Sequence, residues 1–176
     1  MTTGPDGAPR DDAAEPRVRA ELLDTGERDL VQARIVIDAP ATRVFDLIAD
    51  PRRHPDIDGS GTVRRTITGP ARLSLGARFG MAMRMGVPYR VTNTVVEFEE
   101  DRRIAWRHLA RNVWRYELVD LGDGRTEVTE TADLRTAIHR PLIALIGAPR
   151  AAAVGMARTL VRLKALAEGA GTPAAA

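Results

Sequence analysis

Residues 31–38 read VQARIVID, β-branched and alternating, and the turn-prone Asp38-Ala39-Pro40 bounds them, so they predict a strand. Pro40 suits the first turn of a helix, where its missing N–H costs nothing. Val44, Phe45, Leu47 and Ile48 follow at helical spacing, and Asp50-Pro51 ends the run. Residues 51–61 (PRRHPDIDGSG) are dense in turn formers and read as a loop. From Thr62 to Leu134 the period drops to two, predicting strands over 62–68, 77–85, 87–99, 103–109, 113–120 and 126–134. Gly86, Glu100-Asp101, residues 110–112 and Asp123-Gly124 separate them, and turns this short imply an antiparallel meander. After Leu134 the helical period returns. Pro141 and Pro149 bracket a short helix, and from Pro149 onward Ala153, Met156, Leu160, Leu163 and Ala167 mark one apolar face of a long one.

Strand parity sorts the side chains. Phe79, Met81, Met83 and Met85 share a face opposite Arg78 and Arg84, and Tyr89, Val91 and Asn93 oppose Arg90, Thr92 and Thr94. Ile104, Trp106 and His108 oppose Arg107, while Trp114, Tyr116 and Leu118 oppose Arg115 and Glu117. One face is therefore apolar and aromatic and the other rich in arginine. The helix that must cover the apolar face carries Ala151, Ala152, Ala153 and Ala157, small residues that leave volume between the layers. Asn93, His108 and the Tyr116 hydroxyl add polar groups that a dry core would have to satisfy. Together these predict a ligand cavity walled by Phe79, Met81, Met83, Tyr89, Trp106 and Trp114. Asn93, His108 and Tyr116 supply its polar points, and Met156 and Leu160 close it from the helix.

The chain has 176 residues, 44% of them hydrophobic and 28% charged, with mean hydropathy −0.21, which fits one globular domain. Residues 1–28 lack periodic apolar positions and read as a loosely attached or disordered tail, 29–168 as the domain, and 169–176 as a frayed end. No stretch suits a secretory signal or a membrane span, so the expected location is cytoplasmic. The absence of cysteine excludes disulfides, thiolate zinc sites and a cysteine nucleophile. The pI near 9.6 stems from a net charge of only +2, carried almost wholly by arginine. Arg52-Arg53, Arg64-Arg65 and Arg102-Arg103 each lie near carboxylates in the sequence, so no nucleic-acid partner is expected.

Candidate chemistry is sparse. His108 is either a general base on the inner face or a half-exposed residue at a strand end; the lack of an adjacent carboxylate favours the second. Glu130 shares parity with Val128 and Ala132; pointing inward it is an acid of raised pKa or a partner for an arginine, unless a bulge turns it outward. Tyr89 and Tyr116 are hydrogen-bond donors to a carbonyl or simply packing residues. Asp56-x-Asp58-x-Ser60-Gly61 resembles a calcium loop, but Ile67 stands where the bidentate glutamate belongs. Gly59-x-Gly61 fails as a dinucleotide motif, and His54, His108 and His139 are too dispersed for a metal site. No metal or cofactor is expected.

The strand-AP-helix-ADP opening (IVIDAPATRVFDLIADPRRHP), with LGARFGMAMRM, RRIAWRHL, GRTEVTET and TLVRLKALAE, resembles the START-related, polyketide cyclase/dehydrase and birch-pollen-allergen-like superfamily (SRPBCC) over about residues 30 to 168. The resemblance implies an α+β helix-grip fold, a curved antiparallel sheet of six to seven strands wrapped around a long C-terminal helix. It also implies a cavity for lipids or polyketides. Where the family often has a tryptophan after the first helix, this chain offers Ile57. The superfamily shares no catalytic residue, so fold follows from it far better than reaction. The expectation is a binding module for a hydrophobic or amphipathic small molecule. The alternatives are a polyketide cyclase/aromatase or dehydrase using His108, Tyr116 or Glu130, and a module that regulates a protein partner.

Overall fold

The computed structural model describes residues 18–108, 111–138 and 148–169. Eight strands form one antiparallel sheet: β1 (Glu21–Leu23), β2 (Leu30–Ile37), β3 (Val63–Thr68), β4 (Arg78–Met85), β5 (Val87–Glu99), β6 (Arg103–Arg107), β7 (Val113–Asp120) and β8 (Thr126–Asp133). Helices α1 (Ala41–Ala49) and α2 (His54–Ile57) fall between β2 and β3, and α3 (Ala148–Gly169) ends the fold. The spatial order is β1-β2-β8-β7-β6-β5-β4-β3. The chain thus crosses from β2 to the far edge and meanders back until β8 lies beside β2. This is the helix-grip arrangement, with one strand more than the sequence pattern predicts. The extra strand is β1, in the segment read as a tail; Leu22 pairs with Ala33 and Arg34 binds Glu21 at 2.8 Å. Three residues are too few to display an alternation.

The segment read as a loop differs as well. Pro51–Arg53 forms a 3₁₀ turn that runs straight into α2. Pro51 and Pro55 fit such short helical turns because they fix φ and need no intrahelical partner. The Asp50 carboxylate accepts the Arg52 N–H at 2.9 Å and starts the turn. Pro40 precedes the first helical residue of α1, and its carbonyl accepts from the N–H groups of Arg43 and Val44. The sixth meander strand ends at Asp133, and the fourth at Arg107, where the His108 N–H turns to the Asn112 carbonyl at 3.0 Å. The short helix expected after Leu134, and His139, lie outside the described residues.

Parity holds along the meander. Phe79, Met81, Asn93, Trp106, Tyr116 and Leu118 are buried, while Arg78, Arg84 and Arg107 are exposed. A register shift between Val95 and Glu97 reverses β5 beyond the residues used for the assignment, so Phe98 still reaches the core and meets Phe45 edge-on at 5.5 Å. Helix α3 buries Met156, Leu160, Leu163 and Ala167 in steps of four, three and four, and packs chiefly along β2 with further contact to α1, α2 and β8. Its buried side chains share one continuous core with Phe79, Trp106 and Tyr116.

The loop after α2 approaches α3 so closely that a Cβ on residue 59 would sit 2.2 Å from the Thr159 nitrogen. Only glycine fits there. The Gly59 N–H is also anchored, donating to Thr159 Oγ1 at 2.9 Å.

Candidate functional site

Strand β8 runs between β7 and β2 without a shift, which places Glu130 opposite Tyr116 on one side and Ala33 on the other. No bulge turns it outward; it is 2% exposed. The small Ala33 leaves the carboxyl free to turn toward β7. There the Trp114 indole N–H donates to Oε1 at 2.8 Å and the Tyr116 hydroxyl donates to the same oxygen at 2.9 Å. Glu130 Oε2 is buried with no partner. Burial outweighs the two donated hydrogen bonds and pushes the Glu130 pKa up to about 8. At neutral pH the group therefore retains its proton. With Oε1 accepting twice, the unpartnered Oε2 is the natural seat of that proton and becomes a buried donor with no acceptor among the described residues. Burial and the Glu130 carboxyl hold the Tyr116 phenol well above its ordinary range, so it stays protonated.

An aromatic stack extends from this group. The Trp106 ring lies 5.6 Å from Tyr116 and 5.0 Å from His54, which stacks on it, with Phe79 edge-on to Trp106 and His54. His54 is part of this candidate site, whereas the sequence offered it only as a histidine too dispersed for a metal site. The signal was available: Pro51, His54 and Ile57 recur every three residues and all three are buried. The His54 Nε2 bonds the Ile48 carbonyl at 2.9 Å, and burial lowers its pKa, so the ring stays neutral and donates.

The other predicted residues spread outward from this centre. Asn93 lies opposite Phe79, is 1% exposed, and its Oδ1 has no partner. His108 packs edge-on to Trp114 at 5.8 Å; its residue keeps some open surface, but the imidazole is enclosed enough for its pKa to fall to about 4. A base that weak is ill matched to proton abstraction at neutral pH, which weighs against the general-base role. Met81, Met156 and Leu160 are fully packed, whereas Met83 and Trp114 are half-buried. Tyr89 and Met85 share the inner parity but lie past the end of the core, 37% and 67% exposed. The structure thus gathers Glu130, Tyr116, Trp114 and Trp106 into one cluster, sets Asn93 and His108 at its edge, and leaves Tyr89 outside it.

The calcium-like loop is internally satisfied. Asp58 Oδ1 accepts from the Ser60 N–H and hydroxyl, and Oδ2 accepts from the Val63 N–H. Among the described residues no group of three His, Asp or Glu could hold a metal. One open surface recess, of about 500 Å³, is walled by Ala41, Glu100 and Leu118; another, of about 320 Å³ on the outer face, is walled by Arg78, Thr94 and Arg107 and reaches His108 at the cluster's edge. The arginine pairs divide: Arg52, Arg53, Arg102 and Arg103 bind carboxylates, but among the described residues Arg64 and Arg65 have none, contrary to their expected neutralisation. The carboxylates near them in sequence are engaged elsewhere, Asp58 within its loop and Asp56 with Arg53.

No described helix is long and apolar enough to cross a membrane. The chain is 38% identical to uncharacterized protein Rv0088 of Mycobacterium tuberculosis strain H37Rv over 138 residues, which is 76% of this chain and 62% of that protein. A second curated relative, uncharacterized protein MT0096 of strain CDC 1551, is 37% identical over the same length. This chain therefore spans about three fifths of the relatives' length. Among solved structures, protein Ms6760 of Mycobacterium smegmatis superposes with a TM-score of 0.65 at 16% identity, covering 87% of this chain and 99% of that one. The Polyketide_cyc-like protein Cgl2372 of Corynebacterium glutamicum gives 0.54 at 18% identity, covering 78% and 90%. At such identities the likeness is one of fold. A family model described as polyketide cyclase / dehydrase and lipid transport matches residues 28–168. The chain belongs to that family, within the SRPBCC superfamily.

Proposed function

We propose that this chain binds a hydrophobic small molecule bearing one oxygen function, held between the inner sheet face and α3. The observation that carries the reading is Glu130: a carboxyl neutral at pH 7, fixed by two donors, with its second oxygen unpartnered among aromatic rings. A buried polar atom without a partner costs about 1–3 kcal/mol. A ligand carbonyl accepting from Oε2 would relieve that cost, and the Asn93 side chain offers a second polar contact across the same face. Methionines at 81, 83 and 156 adapt readily to different apolar shapes. A ligand would enter beside Met83 and Trp114, which are half-buried. Tyr116 serves by holding Glu130, and His108 by packing on Trp114.

The test is the pH profile of binding, read by quenching of Trp106 and Trp114 with 2-acetonaphthone, whose ketone can only accept. Binding should weaken about three- to tenfold as Glu130 loses its proton near pH 8, the size of one neutral hydrogen bond. Glu130→Gln should flatten the profile, and naphthalene should show none. A wild-type profile identical to that of Glu130→Gln would sink the reading. The same carboxyl favours a second reading, acid catalysis of cyclisation or dehydration. That reading requires turnover of a β-keto chain that falls about a hundredfold in Glu130→Gln while binding is kept.

A further inference from the structure

Beyond Met83 the β4–β5 hairpin runs out past the core, and every residue from Arg84 to Arg90 is exposed. Gly86, at φ 74°, makes the turn, with Met85 paired to Val87 across it. Alternation splits the projecting hairpin into two unlike sides. Met85 and Val87, 67% and 71% exposed, and Tyr89 continue the inner-face row of Met81 and Asn93 into solvent. Arg84 and Arg90 project from the outer side, where Arg65 joins them: Ala82 pairs with Arg65 in β3 and with Arg90 in β5.

Among the described residues these guanidinium groups have no carboxylate partner, whereas another part of the outer face is ion-paired. There Arg115 binds Glu97 and Arg103 binds Glu99. Among the described residues positive charge is thus neutralised around Arg103 and Arg115 and left bare around the hairpin, as it is at Arg78 and Arg107. Bare arginines repel one another, and exposed Met and Val gain nothing from water. Both facts point to a partner that is anionic and apolar together.

We propose that the β4–β5 hairpin docks on an anionic lipid bilayer. Met85 and Val87 enter the boundary between headgroups and acyl chains, and Arg84, Arg90 and Arg65 meet lipid phosphates. A polyelectrolyte such as DNA would take the arginines but leave Met85 and Val87 in water. A second copy packed tip to tip would bury the apolar residues but bring the two sets of arginines together. A bilayer surface satisfies both sides at once, as it does for amphipathic segments with basic and apolar flanks. This inference does not rest on the interior-ligand reading, and none of its residues touches Glu130.

The experiment is sedimentation of the full chain with vesicles of phosphatidylcholine alone or with about 30% phosphatidylglycerol, at about 0.1 M salt. Binding is expected to the anionic vesicles and to weaken as salt rises. Each arginine near an anionic surface contributes about fivefold, so Arg84→Gln with Arg90→Gln should lose about 30-fold. Met85→Ser with Val87→Ser should lose about tenfold on the same vesicles. Arg103→Gln, which removes a neutralised arginine of the same sheet face, should bind as the wild type does. All substituted side chains are exposed, and an unchanged melting temperature confirms each fold. The proposal is overturned if the wild type ignores vesicle charge, or if either double variant binds normally. It is equally overturned by a concentration-dependent dimer that Met85→Ser with Val87→Ser abolishes, or by a short DNA duplex that displaces the vesicles at matched charge.

Discussion

Glu130 holds its proton because the native interior withholds water from its charged form, and that makes it a measurable load on stability. An unfolded glutamate titrates near its ordinary value of 4.5, whereas the native group titrates at about 8. Between those values the native state binds the extra proton, so stability falls as pH rises, by up to about 1.4 kcal/mol per pH unit, and levels off above pH 8. Below pH 4.5 both states are protonated and the load vanishes. Glutamine keeps the oxygen that accepts from Trp114 and Tyr116 but cannot ionise. Glu130→Gln should therefore match the wild type near pH 4 and exceed it progressively up to pH 8, in urea unfolding at several pH values. A constant offset across that range would mean the carboxyl is not buried as a neutral acid. Parity alone put Glu130 on the inner face, but not its partners. Those depend on which residues of β7 lie opposite it, a register that no local pattern states. The same limit explains why Tyr116 reads as a free donor in the sequence yet is committed to Glu130 in the fold.

The elements were legible wherever a repeating apolar pattern ran long enough to be counted. The steps through Met156, Leu160, Leu163 and Ala167 revealed the buried face of α3, and β2, β5 and β8 fell within a residue of their observed ends. What escaped was short or defined by tertiary contact. Strand β1 has three residues, and α2 is one turn built on Pro55. Gly59 invited readings as part of a calcium loop or a nucleotide motif, whereas its role is steric. The loop must let α3 pass at backbone distance, and the Thr159 hydroxyl then receives the freed N–H. Gly59→Ala should accordingly destabilise the protein by about 1–3 kcal/mol or more, since the added methyl meets backbone that cannot swing aside. Gly155→Ala is the milder companion, because its Cβ would come no nearer than 3.2 Å, to the Ser60 Cβ, with the Ser60 backbone at 3.6 Å or more. Equal, small losses in the two variants, measured by denaturant midpoints, would show that the loop and helix are free to part.

At the scale of the molecule, sheet and helix have one core between them, and this decides how the protein should unfold. The sheet cannot bury Phe79, Trp106 and Tyr116 without a cover, and α3 has no other face on which to bury Leu160 and Leu163. Among the described residues neither layer has a second apolar cluster to sustain it alone, so loss of one removes the partner of the other. Tryptophan fluorescence, reporting from β6 and β7, and far-ultraviolet circular dichroism, weighted toward α3, should therefore trace a single transition. Leu160→Ala tests the coupling directly. Leu160 is fully buried, so truncation removes apolar area and leaves a cavity, at a cost of about 2–5 kcal/mol. For a chain of this size that corresponds to a fall in melting temperature on the order of 10 °C. Both probes should shift by the same amount, although the substitution lies in the helix and the tryptophans lie in the sheet. If the dichroism moved and the fluorescence did not, α3 would be an independently melting lid. The space it covers would then open without unfolding the sheet, and a ligand would enter by displacement of the helix.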